Sequence, residues 1–336
     1  MYNLSGKVFL TAILFLFLSS FELPSFMQNA QPKNVLKTII IDPGHGLPDP
    51  GANGVYSTEA ENALDIALKL GELLRQNLPN TKIIFTRTDK FLPDHLTSIP
   101  ASLKRRAQIA NENHGDLFIS IHLNSSAPRI RRDVVGHTSQ TYYTYTGKGK
   151  KKKKVAHKRD VPIYKSYNLG CDAQGTEVYI WAVGKAKDKQ EFVGAGSNDE
   201  VSEDDNMDSS ALLFDSPEAK IRASILTKKF FNNSCMLAEY VQDEFEKQGR
   251  INRGVLQRNN KGIWVLQATA MPSILVETGY ICNHDEEGYL SNEKDQGEIA
   301  NAVMRGVLHY KESLENGVLP VVSQTVAAVN DSAKGQ

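Results

Sequence analysis

Two runs of this chain, Thr38-Ile39-Ile40-Ile41 and Leu117-Phe118-Ile119-Ser120-Ile121, are apolar at almost every position rather than at every second one. Successive side chains of a strand point to opposite faces, so strands of this composition must be covered on both sides, as in sheets enclosed between helices. Ile274-Leu275-Val276 repeats the pattern, and Lys82 to Thr86 and Glu177 to Ile180 add two further strand candidates. Helical periodicity lies between them. Ala63, Ile66, Ala67, Leu70, Leu73 and Leu74 recur at helical spacing, Leu103 to Asn111 forms another helix, and Ile299, Val303, Gly306, Val307 and Tyr310 share one face of a last one. Ser216 followed by Pro217 reads as the N-cap and first turn of a long helix running towards Lys247. Strands alternating with helices predict the α/β class.

Two stretches break this rhythm. Residues 127–173 are rich in Tyr, Thr and Lys, including the run Lys150 to Lys154, and read as a long insertion between core strands. The run is either a solvated loop or a contact for anionic groups. Residues 184–215 are polar and then acidic, with Asp199, Glu200, Glu203, Asp204, Asp205 and Asp208. Loops of such length are functional or disordered. Residues 314–336 lack periodicity and are expected to be a disordered tail.

At the start, Lys7 precedes the apolar run Val8 to Leu18, which Ser19-Ser20 follows. That is the layout of a secretory signal peptide within residues 1–30, cut somewhere between Ser20 and Ala30. The run is shorter than the ~20 residues that span a bilayer, and no later segment is long and apolar enough, so the mature chain is expected to be exported, periplasmic or extracellular, without a membrane span. The 39 Lys and Arg balance the 39 Asp and Glu, which argues against a nucleic-acid partner. Three cysteines, Cys171, Cys235 and Cys282, have neither zinc-site nor framework spacing, so at most one bridge can form.

Chemistry concentrates at element ends. Asp42-Pro43-Gly44-His45-Gly46 follows the first strand, and His122 closes the strand Phe118 to Ile121. The carboxyl ends of parallel strands share one edge of a sheet, so His45 and His122 can converge there. Hydrolytic zinc sites use three protein ligands, such as two histidines and a carboxylate. Glu59 and Glu61 both open the helix after the first turn, but Thr58-x-x-Glu61 is a capping box, which leaves Glu59 as the ligand. Glu277 ends the strand Ile274 to Val276, where it can serve as a general base. Taken singly, each of these is more often a turn, core or surface residue; it is their joint placement that points to a metal hydrolase.

The stretches Ile41 to Gly46, Thr86-Arg87-Thr88-Asp89, Arg106 to Asn111, Asp116 to Asn124 and Met271 to Asn283 resemble, in order, the motifs of the zinc-dependent N-acetylmuramoyl-L-alanine amidase family with the DPGHG-type catalytic domain. The resemblance spans residues 35–313. It implies a mixed, mainly parallel sheet flanked by helices, a single catalytic domain carrying the two insertions, zinc held by His45, Glu59 and His122, and Glu277 as the catalytic glutamate. Asn62 offers a rival register to Glu59. The implied activity is hydrolysis of the amide between N-acetylmuramic acid and L-alanine in peptidoglycan, for wall remodelling or cell separation. Regulated members carry an inhibitory helix near the position of residues 184–215, which implies an activator protein that relieves it. Two other readings are a non-catalytic peptidoglycan-binding module and a zinc peptidase acting within the stem peptide.

Overall fold

The computed structural model describes residues 35–196, 216–258, 262–318 and 327–328. The leader, the acidic stretch 199–208 and most of the tail lie outside them. Five expected strands are present: β1 (Thr38–Pro43), β2 (Lys82–Phe85), β3 (Leu117–Asn124), β6 (Thr176–Ile180) and β8 (Ser273–Tyr280). Sequence reading missed β7 (Asn252–Gln257) and the two-residue β9 (Ala327–Ala328). The seven strands form one sheet in the order β2-β1-β3-β8-β6-β7-β9. β2, β1, β3 and β8 are parallel, whereas β6 runs antiparallel to β8 and parallel to β7. The sheet is therefore mixed and mainly parallel.

The continuous apolar runs are explained by two cores. Ile39 and Ile41, Ile119 and Ile121, and Ile274 and Val276 point to one face, against α1 (Glu59–Asn77), α4 (Pro217–Lys247) and α7 (Glu293–Glu315). Ile40, Phe118 and Leu275 point to the other, with Ala110 of α2 (Ile99–Glu112) and Val265 and Leu266 of α5 (Trp264–Ala268). The six isoleucine and valine side chains of the first face are fully buried, and each such burial stabilises the fold by roughly 1.5–3 kcal/mol. Local signals place the helix starts. Thr58 and Glu61 form the capping box of α1, and the Ser216 side chain accepts from Ala219 N–H at the head of α4, with Pro217 in its first turn.

Both insertions have structure that composition alone did not reveal. Residues 130–168 are no loop. They pair as β4 (Ile130–Thr146) and β5 (Lys153–Asn168), an antiparallel ribbon separate from the main sheet. The second insertion opens with α3 (Ala186–Gly196). Its Lys189 is fully buried, and Nζ donates to the carbonyls of Leu266 and Met271 and to the hydroxyls of Thr269 and Ser273. Burial pushes that lysine's pKa well below its ordinary value. The remaining helix, α6 (His284–Leu290), follows β8. Cys171 and Cys282 form a disulfide, and Cys235 is free and buried.

Candidate metal centre

The parallel strands end on one edge of the sheet, and a cleft of about 370 Å³ opens there, lined among others by His45, Glu59, His122 and Glu277. His45 stands on the turn after β1. His122 lies inside β3, which runs on to Asn124, and Glu277 lies inside β8, which runs on to Tyr280. Both strands are thus longer than their apolar cores suggested. The strand register sets His122 directly beside Glu277. Glu59 is buried at the first turn of α1, its Oε1 2.8 Å from His122 Nδ1 and 3.2 Å from His45 Nε2. One ligand atom from each of His45, Glu59 and His122 falls within a sphere where all lie within 4.8 Å of one another. Asn62 belongs elsewhere: its Nδ2 donates to the Ser57 hydroxyl at 3.0 Å.

The backbone around His45 is shaped for this approach. His45 itself has a φ of 56°, a left-handed conformation uncommon for a residue with a side chain. Two buried arginines fix it. Arg106 donates to the carbonyls of Pro43 and His45, and Arg87 to those of Pro43, Gly44 and Ala60. Arg106 also pairs with the buried Asp42 carboxylate, which accepts further bonds from Thr86 and Ser120. Gly44 is required sterically, since a Cβ there would lie 2.5 Å from the His122 ring.

Charge is arranged with equal specificity. His45 Nδ1–H donates to Asp49 Oδ2 at 2.8 Å, which leaves Nε2 facing Glu59. Burial alone would lower the His45 pKa, but hydrogen bonds and charges from Glu59 and Asp49 outweigh it and raise it to about 9. Burial pulls Glu59 upward and loses to the two histidines, so its carboxyl is held far below the usual range. Glu277 is pushed up to about 8, first by burial and then by the negative charges of Glu59 and Glu177. Its Oε2 is buried with no hydrogen-bond partner among the described residues.

The arrangement contains residues to which sequence reading gave no role. Asp49 could have been found from its place four residues after His45 in a glycine-bounded turn. Glu177, an acid within an apolar strand, is buried and accepts from Asn124, Tyr179, Arg253 and Tyr280 at 2.5 to 2.9 Å. Arg87 and Arg106 were visible as motif residues, but nothing in their spacing says that they hold backbone carbonyls. None of the described residues of the second insertion lines the cleft, but Phe192 meets the cleft-lining Trp264 edge-on with ring centroids 6.1 Å apart.

Residues 39–309 match the family model described as N-acetylmuramoyl-L-alanine amidase. The chain is 35% identical over 111 residues to an uncharacterized cell wall amidase of Bacillus anthracis, covering 32% of this chain and 18% of that protein. It is 27% identical over 282 residues to a protein of Haemophilus influenzae described as a probable N-acetylmuramoyl-L-alanine amidase, AmiB, covering 82% and 50%. It therefore spans half or less of the length of these two relatives. Among solved structures, the CwlD amidase of Clostridioides difficile, in complex with the GerS lipoprotein, has the same fold, with a TM-score of 0.51 at 22% identity over 82% of this chain and 98% of that one.

Proposed function

The chain belongs to the N-acetylmuramoyl-L-alanine amidase family, and from that premise we propose that it is a zinc-dependent hydrolase of the amide joining N-acetylmuramic acid to L-alanine in peptidoglycan, acting in wall remodelling or cell separation. One observation carries the reading: two imidazole nitrogens and a carboxylate oxygen meet within 4.8 Å, and beside them stands a carboxylate with an oxygen unpartnered among the described residues.

The donor set fits zinc. Two histidines and a carboxylate are a hydrolytic zinc trio, Asp49 orients His45 in the manner of carboxylate–histidine pairs behind metal ligands, and Gly44 leaves the room that His122 needs. When bound, zinc supplies a Lewis acid that polarises the scissile carbonyl and acidifies water. The protein's own residues do the rest. Glu277 accepts the proton of the attacking water and passes it to the departing amine of L-alanine. Burial first, and then the charges of Glu59 and Glu177, raise the proton affinity of this carboxylate above that of a free one, in the direction that a proton acceptor needs. Arg258, on the wall of the cleft, offers a cation for a substrate carboxylate.

The Cys171–Cys282 disulfide supports an exported protein, because such bonds persist in oxidising compartments, and the signal-like leader agrees with it. No described helix is long and apolar enough to cross a membrane. Restraint by residues 184–215, with an activator that lifts it, also belongs to the proposal, although residues 197–215 lie outside those described. The deciding experiment is digestion of purified wall by the zinc-loaded protein. Release of the stem's α-amino group from L-alanine, without new reducing sugar ends, is expected; cleavage inside the stem favours a peptidase, and binding without any product favours a wall-binding module.

A further inference from the structure

The β4–β5 ribbon takes no part in the cleft chemistry, yet its construction is unusual. Sixteen register pairs run from Ile130 opposite Asn168 to Thr146 opposite Lys153, and no residue of either strand is buried. A lone two-stranded ribbon with both faces in water is at best marginally stable, so this one is not explained as a contributor to the core. Between residues 130 and 168 it carries eleven Lys and Arg against two Asp and no Glu. That excess, more than five to one in a chain whose 39 basic and 39 acidic residues balance as a whole, makes the ribbon an anion-seeking surface. Towards the tip, Tyr143, Tyr145, Lys154 and Lys158 share one face by register, and Lys154 Nζ sits 3.7 Å from the centre of the Tyr143 ring.

The root of the ribbon is the rim of the cleft. Asn124 and Ser125, which line the cleft, lead into β4. Arg129 and Leu169 or Gly170 close the base by backbone hydrogen bonds, and Cys171 then joins Cys282, two residues after the end of β8. Both strands that carry His122 and Glu277 are therefore tied to the ribbon's base.

We propose that the ribbon is a docking arm for the carboxylates of stem peptides on the same glycan polymer that the cleft cuts. This deepens the amidase reading and rests on it. Stem peptides end in free carboxylates and recur along the glycan, so a row of exposed cations beginning at the cleft matches a polymer whose negative charges also come in a row. An arm of this kind acts on polymeric wall and is silent towards a fragment too short to reach it.

The test compares the full-length protein with the variant carrying Lys150→Gln through Lys154→Gln, using insoluble purified wall and a soluble fragment of one disaccharide with its stem. At low salt the variant is expected to sediment with wall about tenfold less tightly, since five exposed pairs each add a modest factor. Near 1 M salt, where the screening length is about 3 Å, parent and variant become equal. On wall whose carboxyls have been amidated both bind equally weakly, and on the soluble fragment both turn over at the same rate. Equal binding at low salt overturns the proposal. So does a difference that survives amidation, one that is larger on phosphatidylglycerol vesicles than on wall, or a loss of turnover on the fragment matching that on wall. Sedimentation is read independently of cleavage, so a parent that binds wall through the ribbon without releasing an alanine amine would sink the amidase reading and leave wall docking standing.

Discussion

Glu177 and Glu277 face each other across the antiparallel β6–β8 pair, and their surroundings are opposite. Glu177 accepts hydrogen bonds from four side chains, whereas Oε2 of Glu277 is buried and accepts none among the described residues. Neighbouring carboxyls with such different environments are what divides a structural acid from a proton-transfer group.

From this asymmetry, Glu277→Gln is expected to retain zinc and lose about 100- to 10,000-fold in turnover, because volume is kept and the proton acceptor is removed. Metal content and wall digestion measured on one preparation check it. A near-parental rate would assign the base elsewhere.

The proposed metal ligands predict a different pattern. His45→Ala and His122→Ala should lose both zinc and activity. Asp49→Asn keeps the ligands but weakens the group orienting His45, and is expected to lower zinc affinity about 10- to 100-fold. Competition with a chelator of known affinity measures the difference, and unaltered affinity in Asp49→Asn would leave the His45–Asp49 contact without a role in binding.

Asp42 links the site to acid stability. Burial acts to raise its pKa, but the Arg106 charge and the bonds from Thr86, Ser120 and Arg106 prevail and lower it. A carboxyl with a depressed folded pKa contributes stability above its unfolded value of about 3.9, and that contribution is lost as pH falls through the lower folded value. Asp42→Asn leaves Arg106 buried without its anion, which costs roughly 3–5 kcal/mol at pH 7. Urea unfolding should show that gap at pH 7 and a smaller one as the pH drops below 3.8. A gap independent of pH would mean that the pair does not govern acid unfolding.

The second insertion is tested by replacing residues 197–215 with a short Gly/Ser linker while keeping Lys189 and its four acceptors. If the segment favours a covered state by about 2.7 kcal/mol, removing it raises digestion of soluble fragments about 100-fold. An unchanged rate in a folded, zinc-loaded variant would end the idea of restraint.

Much of this architecture was legible because burial on both faces leaves a direct mark on composition. Ile39-Ile40-Ile41 could only be a covered strand, and Thr58 with Glu61 announced the start of α1, which in turn singled out Glu59. The ribbon was not legible, since its strands have no buried face and hence no hydrophobic alternation to read; polar Tyr, Thr and Lys in sequence look the same in a loop. β7 was missed for a related reason. Its first two residues are exposed, and only Val255, Leu256 and Gln257 are buried. In the site, residue identity pointed to the proposed ligands but not to their supports, because an arginine that holds a turn's carbonyls makes no periodic pattern. The bond of Arg106 to the His45 carbonyl spans 61 residues and exists only once α2 has packed.

The position of β8 also has a consequence for synthesis. Strands β1, β2, β3, β6 and β7 all precede it in the chain, yet β8 lies between β3 and β6 and joins the parallel part of the sheet to the rest. Contacts so distant in sequence form late. A nascent polypeptide ending before Ser273 already contains His45, Glu59 and His122, but it lacks both the strand that unites the sheet and Glu277, the proposed proton acceptor. A product truncated before β8 would therefore keep the three proposed zinc ligands without the strand whose register sets Glu277 beside His122.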